Sequence, residues 1–181
     1  MKKQLITSLL YTAITAIVLG IFYPLAITGL ARVFFPAKAN GSLVYNAKHE
    51  LVGSQLIGQA FTGPTYFHSR PSAAGTGYDA RNSGGSNLGP TNKVLIDRVN
   101  AQSEGANTPI DLVTTSASGL DPDITPAAAY FQIPRVASAR HIPETQLHQL
   151  VDAHMTQRQL GFLGEPRVNV LALNQALDAR K

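Results

Sequence analysis

The chain has 181 residues, no cysteine, a formal net charge of +4 and a pI near 9.5. Without cysteine it has neither a disulfide framework nor a thiolate metal site. The basic pI does not indicate a nucleic-acid binder: Lys2, Lys3 and Arg32 flank the first apolar segment, the remaining 12 of 15 Lys/Arg face 11 Asp/Glu, and no basic run tracks a phosphate backbone.

From Leu5 to Ala31 no residue is charged. As a helix rising about 1.5 Å per residue, this stretch reaches roughly 40 Å and crosses a hydrocarbon layer of about 30 Å. Ala37-Lys38-Ala39 resembles a signal-peptide cleavage site, but the apolar run is nearly twice the about 7–15 residues of a signal core. The reading is therefore a retained transmembrane helix with its flanks over residues 1–35 and one soluble domain over residues 36–181. Lys2, Lys3 and the α-amino group precede the span, against Arg32 and Lys38 after it; this bias favours a cytoplasmic N-terminus and an extracytoplasmic main domain.

Every fourth residue of the span reads Ser8, Thr12, Ala16, Gly20, Pro24, Thr28. Small residues on one slowly drifting helix face allow close backbone approach, and van der Waals packing drives helix pairing in lipid. Ser8, Thr12, Ala16, Gly20 and Thr28 are thus a candidate helix–helix interface, and the other faces contact membrane lipid. Pro24 removes a backbone donor and predicts a kink near Gly20. Ser, Thr and Ala are also common in spans that pair with nothing.

Beyond the span, Pro36 to Gly41 reads as a hinge. Leu43–Tyr45 and Leu51–Ile57 are apolar runs that predict a hairpin around the polar Asn46–Glu50. Residues 62–92 are loop-like, broken by proline, glycine, serine and asparagine. A helix capped by Thr91 or Asn92 follows, with Val94, Leu95, Arg98 and Val99 on one edge and Gly105 beyond its end. β-Branched "IDLVTTSAS", 110–118, predicts a strand. Thr125-Pro126 predicts N-cap and N1 of a helix through "AAAYFQIPRVASAR", with a kink or break at Pro134. Another helix starts around Pro143 and carries Leu147, Leu150, Val151 and Met155 at helical spacing. "RVNVL" predicts a short strand before a last helix ending near Arg180. The fold class is α+β: strands and helices are mixed without regular alternation.

No catalytic set emerges. Gly84 to Thr91 has the G-x-x-x-x-G frame of a phosphate-binding loop, but Pro90 stands where lysine must follow, and no strand run precedes it. Gly75-Thr76-Gly77-Tyr78-Asp79-Ala80 fits the loose dinucleotide pattern without its flanking strand and helix. Leu88 replaces the glycine a nucleophile elbow needs. Glu144, His148 and Asp152 share a helix face, a weak divalent-ion arrangement that a solvated amphipathic face explains as well. No metal or bound cofactor is expected. Phe67–Asn92 remains as a dense set of hydrogen-bonding groups with Tyr66, Phe67 and Tyr78 as anchors. It reads as an ordered loop packed on its own domain or on a partner, and Arg70, Asp79, Arg81, Asn82, Ser83 and Asn87 are the candidate partner surface.

Tyr23-Pro24 late in the span, then "LVGSQLIGQAF", "YFHSRPSAAGTGYDARNSGGSNLGPTN", "SGLDPDITPAAAYFQIPRVASAR" and "EPRVNVLALNQALD", carry a resemblance. Over nearly its whole length the chain resembles the C subunit family of the bacterial Kdp potassium-transporting ATPase. The resemblance implies an accessory subunit of an ATP-driven, high-affinity potassium uptake complex in the bacterial inner membrane. It implies three partners: a potassium-channel-like subunit, a P-type ATPase subunit and a small single-span subunit. K+ would be the transported ion, and ATP would enter through the complex. The family is described as needed for assembly and activity and as a catalytic chaperone that raises the pump subunit's ATP affinity. The alternative is a stand-alone, membrane-anchored extracytoplasmic module that binds a ligand or hydrolyses a substrate.

Overall fold

The computed structural model describes every residue except Ala47, Glu104, Ala106 and Lys181. The chain divides into two compact units, Met1–Leu43 and Val44–Lys181.

The first unit is dominated by one apolar helix, Lys2–Phe34, long enough to cross a membrane. It consists of α1 (Lys2–Ile17), a π turn (Val18–Phe22) and α2 (Tyr23–Phe34). No side chain of α1 or α2 is buried. Around Gly20, where a kink is expected, the helix has this π turn. Pro24 cannot donate to the Gly20 carbonyl, and Tyr23 N–H reaches back five residues to Val18 O. A single turn, α3 (Pro36–Ala39), follows where a hinge was expected.

The expected hairpin, β1 (Leu43–Tyr45) and β2 (Leu51–Ser54), begins at the last residue of the first unit and lies otherwise in the second. Asn46 shapes its turn: the Oδ1 atom accepts from Lys48 N–H and Glu50 N–H at 2.9 and 3.0 Å. β2 ends at Ser54, short of Ile57, because Ser54 turns the chain by accepting from Leu56 N–H at 3.1 Å. α4 (Lys93–Gln102) starts where Asn92 accepts from Val94 N–H at 2.9 Å. α4 buries no residue; Leu95, Arg98 and Val99 are half-buried, and Val94 is exposed.

The strand expected over 110–118 does not form. Ile110–Leu112 is a 3₁₀ turn and the rest is irregular. Thr114 Oγ1 donates to Ile110 O at 2.7 Å, and such local side-chain bonding competes with a ladder. The β-branched composition was satisfied by a turn.

β3 (Asp123–Ile124) leads into α5 (Pro126–Arg140). Thr125 caps α5 by accepting from Ala128 N–H at 3.2 Å, and Pro126 occupies its first turn. Pro134 neither breaks nor ends α5. Ile133, Val136 and Ala137 around it are buried, and that packing holds the helix together across the lost bond. The helix stops at left-handed His141, with Ile142 N–H returned to Ala137 O at 3.1 Å.

α6 (Glu144–His154) follows Pro143 as expected. β4 (Met155–Thr156) and β5 (Arg167–Asn169) then build an antiparallel sheet of order β3-β5-β4, with Ile124 opposite Val168 and Met155 also opposite Val168. Asn169 ends β5 and caps α7 (Val170–Asp178) by accepting from Ala172 N–H at 3.0 Å. "RVNVL" is thus half strand and half helix. One core unites the sheet with α5, α6 and α7 through Ile124, Ile133, Val136, Leu147, Val151, Val168, Leu173 and Leu177. Phe67, from the polar loop, is wholly buried in it.

Candidate functional site

The loop after β2 is fastened to the helices by side chains that bond its backbone. Phe67 N–H donates to Asn174 Oδ1, and Asn174 Nδ2 donates to Phe67 O, both at 2.9 Å. One residue on, His68 N–H donates to Gln132 Oε1 at 2.7 Å, and Gln132 Nε2 returns to His68 O at 3.1 Å. Each amide satisfies a donor and an acceptor, as a neighbouring strand would. Arg135 Nη1 donates to Pro64 O and Tyr66 O at 2.9 and 3.0 Å. Arg140 donates to Thr65 O at 2.7 Å, pairs with Asp178 at 2.6 Å and lies 4.8 Å from the Tyr66 ring centre.

Arg70 is half-buried and bonds its own domain. Its guanidinium donates to Thr114 O, Thr114 Oγ1 and Thr115 O at 3.3–3.4 Å. It lies 3.6 Å from Asp121 and 3.9 Å from Asp111. Asp111 is buried and accepts from Thr125 N–H at 2.8 Å, so one carboxylate links Arg70 to the start of α5. Asp123 pairs with Arg167 at 2.9 Å; burial nevertheless raises its pKa above the ordinary value, partly offset by Asn169 and Arg167.

The glycine-rich part is pinned along the irregular 114–121 segment. Ser72 Oγ donates to Gly119 O at 2.6 Å, while Ser83 Oγ and Gly84 N–H donate to Ser118 O at 3.0 and 2.8 Å. Tyr78 donates its hydroxyl to Arg70 O, and burial pushes that hydroxyl's pKa up. Asp79 caps a short 3₁₀ turn, Ala80–Asn82. Its carboxylate accepts from Asn82 Nδ2 at 2.6 Å and Arg81 N–H at 2.9 Å, and these bonds lower its pKa. Arg81, Asn82, Ser83 and Asn87 are exposed, so four of the six expected surface residues face solvent while Arg70 and Asp79 shape the loop beneath them. Asn87 has φ +52°, a left-handed conformation that asparagine tolerates.

A cleft of about 460 Å³ opens between loop and helices, lined by Phe61, His68, Ser69, Tyr78, Gln132 and Arg135 among others. There Arg135 turns Nη1 to backbone carbonyls and donates from Nη2 to Gln132 Oε1 at 2.7 Å. Among the described residues no group of three or more His, Cys, Asp or Glu could hold a metal ion. On the Glu144–His148–Asp152 face, Tyr130 of α5 donates its hydroxyl to Asp152 and stacks on His148 at 5.3 Å. In the span, a Cβ on Gly20 would meet nothing within 4 Å.

Sequence reasoning missed Asp111, Gln132, Arg135, Arg140 and Asn174. Asn174 had a signal: it lies at +4, +3 and −3 from Val170, Leu171 and Leu177, a polar residue on an apolar face. A buried amide there requires partners, and the backbone of a distant loop supplied them.

A family model described as K+-transporting ATPase, c chain (KdpC) matches residues 5–179. The chain is 60% identical over 185 residues to the potassium-transporting ATPase KdpC subunit of Koribacter versatilis, with 98% of this chain and 95% of that protein covered. The protein of the same name from Acidobacterium capsulatum is 59% identical over 181 residues, covering 97% and 98%. That of Caulobacter vibrioides is 54% identical over 187 residues, covering 99% and 95%. The chain therefore belongs to the KdpC family, the c chains of the K+-transporting ATPase.

Proposed function

We propose that the chain is a non-catalytic accessory subunit that assembles and tunes the potassium pump from outside the cytoplasm. It crosses the bacterial inner membrane once, N-terminus in the cytoplasm. It pairs with a channel-like subunit, a P-type ATPase subunit and a small single-span subunit. The observation that carries this reading is the helix Lys2–Phe34, uncharged from Leu5 to Ala31 and with none of its membrane-length window buried in its own chain. A helix with a ridge of small residues gains packing only from other helices in lipid. The ridge Ser8, Thr12, Ala16, Gly20 and Thr28 is the proposed contact, and the loop surface around Arg70, Asp79, Arg81, Asn82, Ser83 and Asn87 is a second one. The rise in ATP affinity is allosteric: span and domain favour one state of the pump, and ATP binds that state better.

The test replaces Ala16 and Gly20 by leucine, with Ile14→Leu on another face as control. Ala16→Leu and Gly20→Leu are expected to lower co-purification of the companion subunits. In complexes that still assemble, the KM for ATP is expected to rise by about 5–150-fold, the usual range of a coupling free energy. Unchanged assembly and unchanged KM in both variants would remove the ridge from the interface.

A further inference from the structure

We infer that the carboxylate-rich cleft where β3 meets β5 is a proton-operated latch: a proton taken up by Asp123 tightens the seam that fastens β3, β5 and the segment after β2 to one another. The latch needs only this chain; the medium that supplies the proton is the extracytoplasmic one on the topology proposed above.

The cleft holds about 250 Å³ and is lined by Asp111, Asp121, Asp123 and Glu165 together with Arg70 and Arg167. Arg158 reaches Glu165 at 2.5 Å. Three guanidiniums thus stand against four carboxylates, and one negative charge is left over. Asp111 accepts from Thr125 N–H at 2.8 Å and lies 3.9 Å from Arg70. Asp121 lies 3.6 Å from Arg70 and accepts from Asp123 N–H at 3.1 Å. A metal ion does not suit the deficit, since among the described residues no group of three or more His, Cys, Asp or Glu could hold one.

The surplus falls on Asp123. Its side chain is 25% exposed, whereas Arg167, 2.9 Å away, is 44% exposed and keeps much of its water. A pair with a half-solvated cation offsets little of the cost of burying the anion. Burial therefore raises the Asp123 pKa; the bonds from Asn169 and Arg167 offset part of the rise, and the charge of Asp121 adds to it.

This carboxyl sits on a seam of few bonds. Asn169 Nδ2 donates to Asp123 Oδ1 at 3.1 Å and to Gln55 O at 3.0 Å, while its Oδ1 caps α7. Gly58 N–H donates to Leu120 O at 2.8 Å and Val170 N–H to Pro122 O at 3.0 Å. Opening the seam returns Asp123 to water and to its ordinary pKa. The closed seam therefore holds the proton more tightly than the open one, and acid favours closure. This contribution is complete below the ordinary aspartate value of about 3.9 and is lost as pH rises through the raised value of the closed state. Protonated Asp123 still accepts from Asn169 through its carbonyl oxygen, so the bridge to Gln55 survives. The segment after β2 brings the chain from the membrane helix and hairpin into the domain, and the proton sets how firmly that entry is held.

The test uses the full-length chain in detergent. The carboxyl carbons of isotope-labelled aspartates are followed by NMR as pH is lowered, and amide exchange is read at Gly58 and Val170. The Asp123 carboxyl is expected to titrate above about 3.9, and each pH unit of that excess gives about tenfold more protection at the two amides on acidification. Asp123→Asn has no charge to bury; it is expected to show at neutral pH the protection that the wild type reaches only in acid, with no step between. Arg167→Gln removes the countercharge and is expected to move the Asp123 midpoint further up. A midpoint at or below the ordinary value would overturn the latch, as would wild-type protection that does not rise across it, or Asp123→Asn less protected than the wild type at neutral pH. An unchanged Asp123 midpoint in Arg167→Gln would do the same, which keeps the test decisive if Asp123→Asn does not fold. All of these are read without companion subunits, so a failure of the subunit reading leaves them standing.

Discussion

At the scale of single residues, the domain depends on a few polar side chains placed where apolar ones would be expected. Asn174 is 1% exposed and bonds both backbone groups of Phe67. Asn174→Ala would leave two buried backbone groups unpaired, each costing about 1–3 kcal/mol. The expected loss is about 2–5 kcal/mol, read as a lower denaturation midpoint of the full-length protein in detergent. Phe67 should also become accessible, seen as faster hydrogen exchange at its amide. A midpoint within error of the wild type would mean the amide is replaceable by water. Residues of this kind were hard to read in advance. Ser69, Arg70 and Asn82 look equivalent in a polar string, yet Arg70 faces two carboxylates and Asn82 faces solvent. Such a difference depends on partners more than 40 positions away.

Among the elements, those with strong local instructions formed where expected. Thr125-Pro126 starts α5, Asn92 starts α4, and Leu147, Leu150 and Val151 put one face of α6 in the core. Where the instruction was only compositional, the outcome followed tertiary demand. Residues 110–118 gave their carbonyls to Arg70 and to one another instead of to a ladder, so a β-branched run became irregular. Pro134 stayed inside α5 because the buried neighbours outweighed one missing bond. The seam between the glycine-rich loop and the 114–121 segment depends on close backbone approach. Gly119 has φ +66°, and a Cβ there would fall 2.6 Å from Gly84 O and 2.7 Å from Ala74 N. Gly84 lies across that seam, and a Cβ on it would meet nothing within 4 Å. Gly119→Ala is therefore expected to cost about 2–4 kcal/mol through overpacking and left-handed strain. Gly84→Ala should stay within about 0.5 kcal/mol. Limited proteolysis between residues 72 and 92 checks both: fast cleavage in the first variant, wild-type resistance in the second. Equal resistance would show that the seam accommodates a Cβ at position 119 without opening.

The whole molecule joins a membrane-length helix to a domain that closes on itself through long-range bonds. The uncharged apolar run led to an expected division near residue 35, whereas the compact units divide after Leu43, beyond the short helical turn and into the first strand. The closure was not legible: no local pattern announces that the first loop and the last helix complete one core. Deleting residues 170–181 removes α7 and, with it, Val170, Leu173 and Leu177 from the core and the buried Asn174 that bonds Phe67. The truncated chain is expected to remain in the membrane fraction, held by its helix, while its domain loses protease resistance. A truncated domain that stays resistant would place closure elsewhere.

The same long-range bond sets an order of events during synthesis. Asn174 leaves the ribosome about 140 residues after Phe34, the last residue of the apolar helix. At about 5–20 residues per second, that is a delay of roughly 7–28 s. Throughout it the helix is complete and ready to partition into lipid, while Phe67 waits without its amide. On the proposed membrane reading, the helix can therefore insert before the clasp between Asn174 and Phe67 is able to form.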